Sequence, residues 1–520
     1  MSGQKTFYLT TPIYYVNDAP HIGHAYTTLA CDVLARFKRL DGYDVFFLTG
    51  TDEHGQKVEK SAAAAGIDPQ RFTDEVSQNF RDLADFMNYS HDEFIRTTEK
   101  RHAKASQALW TALQENGHIY LDTYSGWYAV RDEAFYAEDE LTEGPDGKKI
   151  APSGAECEWV EEPSYFFDLS KWQEPLLKFY DENPDFIAPP SRRNEVISFV
   201  KGGMHDLSVS RTSFSWGVDV PDDEKHIMYV WLDALTNYIT ALDFPEKDAE
   251  LYKKFWPADL HMVGKDILRF HAVYWPAFLM GAGLKPPRRI FAHGWWTNEG
   301  EKISKSLGNV IDPRQIVETY GLDQVRYFLL REVPFGNDGD FSHRSIVNRI
   351  NSELANDLGN LAQRSLSMVG RYCGGILPVP GDLLYPDEQI LGHAEQLIQD
   401  IRGYIDAQAF HEALEVIWGL VRAANAYVDA QAPWQLHKEN PARRDTVLYV
   451  LAETIRHLGI YIQPFMPGSA AKMLNLLAVP ENARDFRHIG SHSALIGGAE
   501  LIKPEPVFPR FMEADTSEMR

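Results

Sequence analysis

TFYLTTPIYYVNDAPHIGHAYTTLACDVLARFKRLDGYDVFFL, residues 6–48, reads as strand, loop, helix, strand. Thr6 to Thr10 is a short β-rich run, and Pro12, Asn17, Asp18 and Pro20 break it with turn chemistry. Apolar residues then recur at Ile22, Tyr26, Leu29, Val33, Phe37 and Leu40, the stripe of an amphipathic helix. Gly42 stops that helix, and Tyr43 to Leu48 is almost continuously apolar, as a strand buried on both faces must be. A βαβ unit of this kind predicts a parallel sheet.

Outward from that unit the pattern changes three times. A second helix is expected after Pro69, with Phe72, Val76, Phe80 and Leu83 on one face. From about Gly117 to Pro190 short aromatic strands alternate with turns such as Pro145-Asp146-Gly147, which reads as an insertion between two halves of the sheet. Parallel-strand signals return at Leu260 to Val263 and Arg289 to Ala292, ending at Gly264 and Gly294. In open α/β folds ligands bind at such strand ends. After about Ser345 helical stripes dominate, beginning with Ile346, Ile350, Leu354, Leu358 and Leu361, and predict a helical bundle.

A chain of 520 residues needs two to four domains. No apolar run is long enough for a membrane span and the N-terminus lacks a signal-peptide pattern, so no membrane partner and a cytoplasmic location are expected. Cys31, Cys157 and Cys373 are far apart, which argues against structural disulfides and thiolate metal sites. The net charge of −24 disfavours a polyanionic partner over most of the surface without excluding a local basic track.

Two short segments carry chemistry. His21 and His24 flank Gly23 where loop becomes helix, at a terminus whose N–H groups and partial positive charge attract phosphate. Lys302, Ser304 and Lys305 stand in Glu-Lys-Ile-Ser-Lys-Ser, where two ammonium groups can follow the charge that develops on a leaving pyrophosphate. Alone, the first reads sooner as a pair of surface or capping histidines, and the second as a solvated basic turn, which is common. Together, in this order, they predict a site that holds the triphosphate of ATP, with Mg2+ entering as part of that substrate.

Read with their context, these segments resemble the HIGH and KMSKS motifs of the class I aminoacyl-tRNA synthetases. Thr11 to Asn17, Gly50-Thr51-Asp52-Glu53-His54-Gly55, Tyr229 to Ala234 and Lys265-Asp266-Ile267 through Trp275 resemble the methionyl-tRNA synthetases, with a likeness over about residues 5 to 470. The resemblance implies an α/β fold: a class I Rossmann-like catalytic domain in two halves (1–116 and 201–298) around a connective-peptide insertion (117–200). A KISKS loop and stem-contact region (299–345), an all-α anticodon-binding domain (346–500) and a tail (501–520) would follow. It implies activation of L-methionine by ATP and transfer to tRNA(Met), initiator included.

Ile267, His271 and Trp275 are four apart, which predicts one helix face, as do Trp231 and Tyr238, seven apart. An aromatic wall suits a thioether. The resemblance assigns Ile13, Tyr15, Trp231, Ala234, Tyr238, Ile267, His271 and Trp275 to the methionine side chain and Asp52 to its ammonium group. It sets Arg211 and Asp266 near the reacting groups, His293 and Gly294 beside adenine, and Asn360, Arg364, Pro433 and Trp434 against anticodon bases. Many relatives hold zinc with cysteine pairs in the insertion; Ala129, Asp132 and residues 150–154 stand there instead, so no structural zinc is expected. Because the extra C-terminal dimerising module is missing, a monomer is expected. The rival readings are another class I synthetase and a non-catalytic tRNA-binding paralogue.

Overall fold

A computed structural model describes residues 4–16, 19–132, 134–136, 138–144, 146–302 and 311–512. The chain divides into two compact units, one formed by residues 6–20 and 45–293, the other by residues 21–44 and the chain from 294 onward, with the first few residues.

The first unit is built on a parallel sheet. Its strands include β1 (Thr6–Thr10), β2 (Tyr14–Tyr15), β3 (Asp44–Asp52) and β4 (Glu93–Arg96). The order across the sheet is Ile187–Ala188, Ile290–His293, Leu260–Gly264, β1 and β3, with β2 and β4 both paired to β3. Leu9 stands opposite Leu260, and Gly264 opposite His293. The two strands expected from their apolar runs, near 260 and 290, are therefore neighbours that end level with each other. Helices α2 (Gln56–Ala65), α3 (Pro69–Phe86) and α4 (Lys100–Glu115) follow, α3 beginning at Pro69 behind an Asp68 cap.

The insertion opens as an antiparallel sheet of two long strands; beyond it Gln173–Glu182 is helical and Ile187–Ala188 joins the parallel sheet, so the short strands and turns expected up to Pro190 end at Phe167. Ile119–Ala129 pairs with Glu156–Phe167 from Ile119 opposite Phe167 to Tyr128 opposite Glu158. Lys149–Ile150 extends it on one side and Ala134–Tyr136 on the other. At its tip Ala129, Ala151, Ala155 and Cys157 pack as a small buried cluster. The Asp132 carboxylate there accepts from the hydroxyls of Tyr136 and Ser153. Two of the positions where the resemblance would place thiols thus hold a methyl group and an engaged carboxylate. A single cysteine completes no tetrahedral set, so these residues do not fit zinc.

The second unit joins α1 (Ile22–Leu40) to a helical bundle. Of the predicted stripe, Ile22, Tyr26, Leu29, Val33 and Phe37 are at most 1% exposed, while Leu40 at the helix end is half-buried. The other face is also anchored. Asp32, fully buried, accepts from Arg326 at 2.6 Å; Lys38 meets Asp406 at 2.5 Å and Asp41 meets Arg402 at 2.6 Å. The bundle includes Asn360–Cys373, Tyr385–Asp406, Phe410–Gln431 and Pro441–Ile462. Ahead of Asn360 the chain winds as a wide π-helix over Ile350–Gly359, so the apolar stripe from Ile346 to Leu361 is not one uniform α-helix. Among the described residues no helix is long and apolar enough to cross a membrane.

Candidate active site

In the second unit, α1 opens on a cap made of two histidines. The Gly23 N–H donates to His21 Nδ1 and the His21 N–H to His24 Nδ1, each at 3.1 Å. Both Nδ1 atoms are thus acceptors, which puts the ring proton of each neutral imidazole on Nε2. The rings stand 3.9 Å apart. Burial, and then the neighbouring His21 ring, hold His24 well below the usual histidine range, so it is neutral. A Cβ at Gly23 would come within 2.9 Å of the His21 ring, so this cap requires glycine between them. The capping and phosphate-donor readings are therefore compatible: one ring nitrogen caps, the other keeps a proton.

The Ile22 N–H donates to Ile311 O at 3.2 Å. Lys302 ends a hairpin in which Thr297 faces Lys302 across a turn at Glu299 and Gly300, both left-handed. The Lys302 side chain, Ser304 and Lys305 lie outside the described residues. The chain that leaves this segment is nonetheless bonded to the mouth of α1. Gly294 approaches the backbone of Asn337 and Asp338 so closely that a Cβ would meet them at 2.3–2.6 Å. That is a packing reason for the glycine at this strand end.

In the first unit, Asp52 closes β3, 7% exposed, with Tyr15 in register beside it. Ile13, Trp231 and Ala234 share one cluster with Tyr229 and Val230. Trp231 stacks on Phe270 with ring centroids 3.4 Å apart. Lys57 lies over the Tyr15 ring at 5.8 Å.

Behind this wall the aromatic groups interlock. The Tyr8 hydroxyl donates to Tyr238 O at 2.7 Å. His271 Nδ1 donates to Ile267 O at 2.9 Å, leaving Nε2 to accept from the Tyr238 hydroxyl at 2.6 Å. The Trp275 indole donates to His261 Nε2 at 3.3 Å, so His261 Nδ1 carries the proton toward Thr10 Oγ1 at 2.8 Å. Burial pushes His271 down to about 4 and holds His261 well below its usual range. The pocket histidines are thus neutral, with fixed tautomers. Ile267, His271 and Trp275 are joined by three kinds of winding, a 3₁₀ turn over Lys265–Ile267, a π segment over Phe270–Tyr274 and an α-helix from Trp275. The single α-helical face expected from their spacing is therefore replaced by an expanded turn that carries His271.

Asp266 is exposed beside Gly264, where a Cβ would come within 2.5 Å of its carboxylate, and His293 is 4% exposed at the end of the adjacent strand. Arg211 is buried, lies 3.8 Å over the Tyr229 ring and donates to Ser208 Oγ and Ser210 O, both at 2.5 Å.

In the second unit, Arg364 lies 4.7 Å over the Trp434 ring and pairs with Asp429 at 3.0 Å. Asn360 is exposed one turn earlier on the same helix. Pro433 begins the short helix that carries Trp434, after Ala432 with φ +43°.

The family described as tRNA synthetases class I (M) matches residues 7–366, and the anticodon binding domain of methionyl tRNA ligase matches residues 377–520. The chain belongs to the class I methionyl-tRNA synthetases. It is 56% identical over 515 residues to a methionine–tRNA ligase of Brucella suis, with 99% of each chain covered. To that of Rickettsia felis it is 57% identical over 512 residues, covering 98% of this chain and 99% of the other. A Mycobacterium tuberculosis methionyl-tRNA synthetase in complex with methionyl-adenylate superposes with a TM-score of 0.95 at 54% identity, covering 98% and 100% of the two chains. The free-state structure from that organism gives 0.90 at 51%, covering 98% and 99%. Family membership fits the Rossmann-like sheet and the helical C-terminal domain.

Motif and periodicity give no role to Glu53, His54, His102, Asp233 or His261, which the structure places in buried polar contacts. Asp233 carried a signal: a carboxylate inside Val230–Thr240, a helix otherwise nearly devoid of charge. Glu53 and His54 follow Asp52 directly, and nothing local in the sequence marks their distant partners Arg96 and Asp233.

Proposed function

We infer that the chain is an ATP-dependent methionine–tRNA ligase. The methionine carboxylate attacks the α-phosphate of ATP to give methionyl-adenylate and pyrophosphate. A terminal ribose hydroxyl of tRNA(Met), initiator included, then takes the acyl group and releases AMP. Positioning and charge stabilisation supply the catalysis, without a covalent enzyme intermediate. The observation that carries this reading is the bond from Ile22 to Ile311, which ties the exit of the Lys302–Lys305 segment to the histidine-capped helix mouth.

In this reading His21 and His24 donate Nε2–H bonds to phosphoryl oxygens, and Gly23 lets the nucleotide approach the backbone. Lys302, Ser304 and Lys305 follow the pyrophosphate, while Mg2+ arrives with ATP. His293 and Gly294 flank adenine. Asp266 and Arg211 act near the reacting groups, Arg211 through its hold on Tyr229. Asp52 takes the ammonium group of methionine. Ile13, Tyr15, Trp231, Ala234, Tyr238, Ile267, His271 and Trp275 enclose its thioether. Asn360, Arg364, Pro433 and Trp434 meet anticodon bases, on which a half-buried Trp beneath an Arg can stack.

The domain partition is 1–116 and 201–298 for catalysis, 117–200 inserted, 299–345 connecting, 346–500 for the anticodon and 501–520 as tail. The enzyme works as a cytoplasmic monomer without structural zinc, its insertion tip held by the Ala129–Cys157 cluster and the Asp132 bonds. Stoichiometric tightly bound zinc in elemental analysis would overturn the last point.

The test is pyrophosphate exchange with a panel of amino acids, followed by aminoacylation of tRNA(Met). Methionine alone should support fast exchange, and Lys305→Ala should slow it by about a hundredfold or more while methionine binding stays nearly intact. Exchange equal to the parent refutes the lysine's role, and absence of any adenylate from the parent restores the non-catalytic paralogue.

A further inference from the structure

Asp233 is fully buried on the helix Val230–Thr240, which also carries Trp231, Ala234 and Tyr238. One of its oxygens lies 2.6 Å from His54 Nδ1 and the other 2.7 Å from His102 Nε2. His54 is two residues beyond Asp52, and His102 is on α4, where Ser106 and Thr240 also approach it at 3.2 Å. One carboxylate thus ties the pocket helix to the loop that carries Asp52 and to a third element.

The loop is fastened on its other side as well. The fully buried Glu53 carboxylate accepts from Thr51 at 2.7 Å and from Arg96 at 2.7 and 2.9 Å. The Trp216 indole donates to Glu53 O at 2.6 Å, and the Gly55 N–H to Trp216 O at 3.0 Å. Burial alone would push the Asp233 carboxyl up, but the two imidazoles hold it well below the usual carboxylate range, so it is ionised. A buried carboxylate between two ring N–H donors makes strong, directional bonds.

We propose that Asp233 is a positioning residue that sets the span between the Asp52 carboxylate and the Trp231–Tyr238 wall, and so measures the length of the amino-acid side chain. The inference rests on the reading of Asp52 as the ammonium partner. A substrate gripped at the ammonium end and enclosed at the other is judged by the distance between grip and wall. If that distance wanders, a side chain one methylene longer is no longer rejected. Asp233 touches no substrate; it works through His54 and through its own helix.

The experiment compares the full-length parent with Asp233→Asn, His54→Ala and His54→Asn in pyrophosphate exchange, using methionine and its one-methylene-longer analogue ethionine, with thermal unfolding alongside. Asparagine at position 54 places an amide donor where Nδ1 stood. Loss of a charge-assisted bond predicts a methionine KM raised about tenfold to hundredfold in Asp233→Asn and His54→Ala, with the KM for ATP held within about twofold. The preference for methionine over ethionine should fall in both, and His54→Asn should restore most of it. Asp233→Asn with parental methionine KM and preference overturns the proposal. So does a loss shared equally by methionine and ATP that tracks a lowered Tm, which is the mark of a merely structural role. If Asp233→Asn fails to fold, the His54 pair decides: a parental His54→Ala, or a His54→Asn no better than His54→Ala, overturns it. A parent without methionine-dependent exchange refutes the functional reading itself, and the proposal falls with it.

Discussion

Trp275 and Trp434 belong to opposite kinds of site. Trp275 is wholly buried, its indole bonded to a histidine that is bonded in turn to a sheet threonine. Trp434 is half-buried on a short helix and covered on one face by an arginine whose ion pair is itself partly exposed. In the proposed reading the first arrangement is a preformed wall for a small apolar group, where strength comes from excluded water and fixed rotamers. In the same reading the second is a platform for flat groups that come and go, where stacking matters more than burial.

Truncating each tryptophan breaks the comparison most sharply. Trp275→Ala should cost about 3–5 kcal/mol of folding stability and abolish methionine-dependent exchange, read by unfolding and by pyrophosphate release. Trp434→Ala should leave exchange and Tm near parental and weaken tRNA charging by about tenfold to hundredfold, the worth of one lost base stack. Equal damage to exchange in both would erase the distinction.

Acid should find the pocket before the platform. Neutral His271 has been pushed down to about 4, whereas an unfolded histidine takes a proton near 6.5. Between those values the unfolded chain binds more protons, so this contribution is complete above pH 6.5 and declines as pH falls toward 4. Denaturant titrations over that range should show the slope, reduced in His271→Gln.

Salt should act in the other direction. Raising ionic strength from 50 to 200 mM should raise the KM for tRNA by roughly tenfold or more and leave the KM for methionine unchanged. The smallest effect belongs to Arg364→Lys, which keeps the charge and loses the planar stack; a tRNA KM raised about threefold to tenfold is expected, with exchange untouched.

Much of this was legible in the sequence because it is local. The strand–helix–strand opening and the helix stop at Gly42 are written in neighbouring residues. The aromatic wall was legible as composition but not as geometry, since a spacing of four fits an α-helix and gives no sign of the π segment that carries His271. Least legible were the distant polar pairs. Asp233 meets His54 and His102 across 179 and 131 residues, and Asp32 meets Arg326 across 294. Periodicity assigns such charges to solvent, and only the finished fold supplies a partner that makes their burial affordable. The placement of α1 with the helical unit was hidden for the same reason, because Lys38 and Asp41 look like an ordinary solvated helix end.

The two-histidine cap at the start of α1 also limits what can compete there. With both Nδ1 atoms committed to backbone N–H groups, the other nitrogen of each neutral ring carries a hydrogen and no lone pair. If this helix mouth holds phosphate as proposed, an inhibitor that replaces it gains by presenting acceptors, such as a sulfamate or carboxylate. A cationic or donor-rich head group would meet like polarity, and no rotation of either imidazole could accommodate it without uncapping the helix.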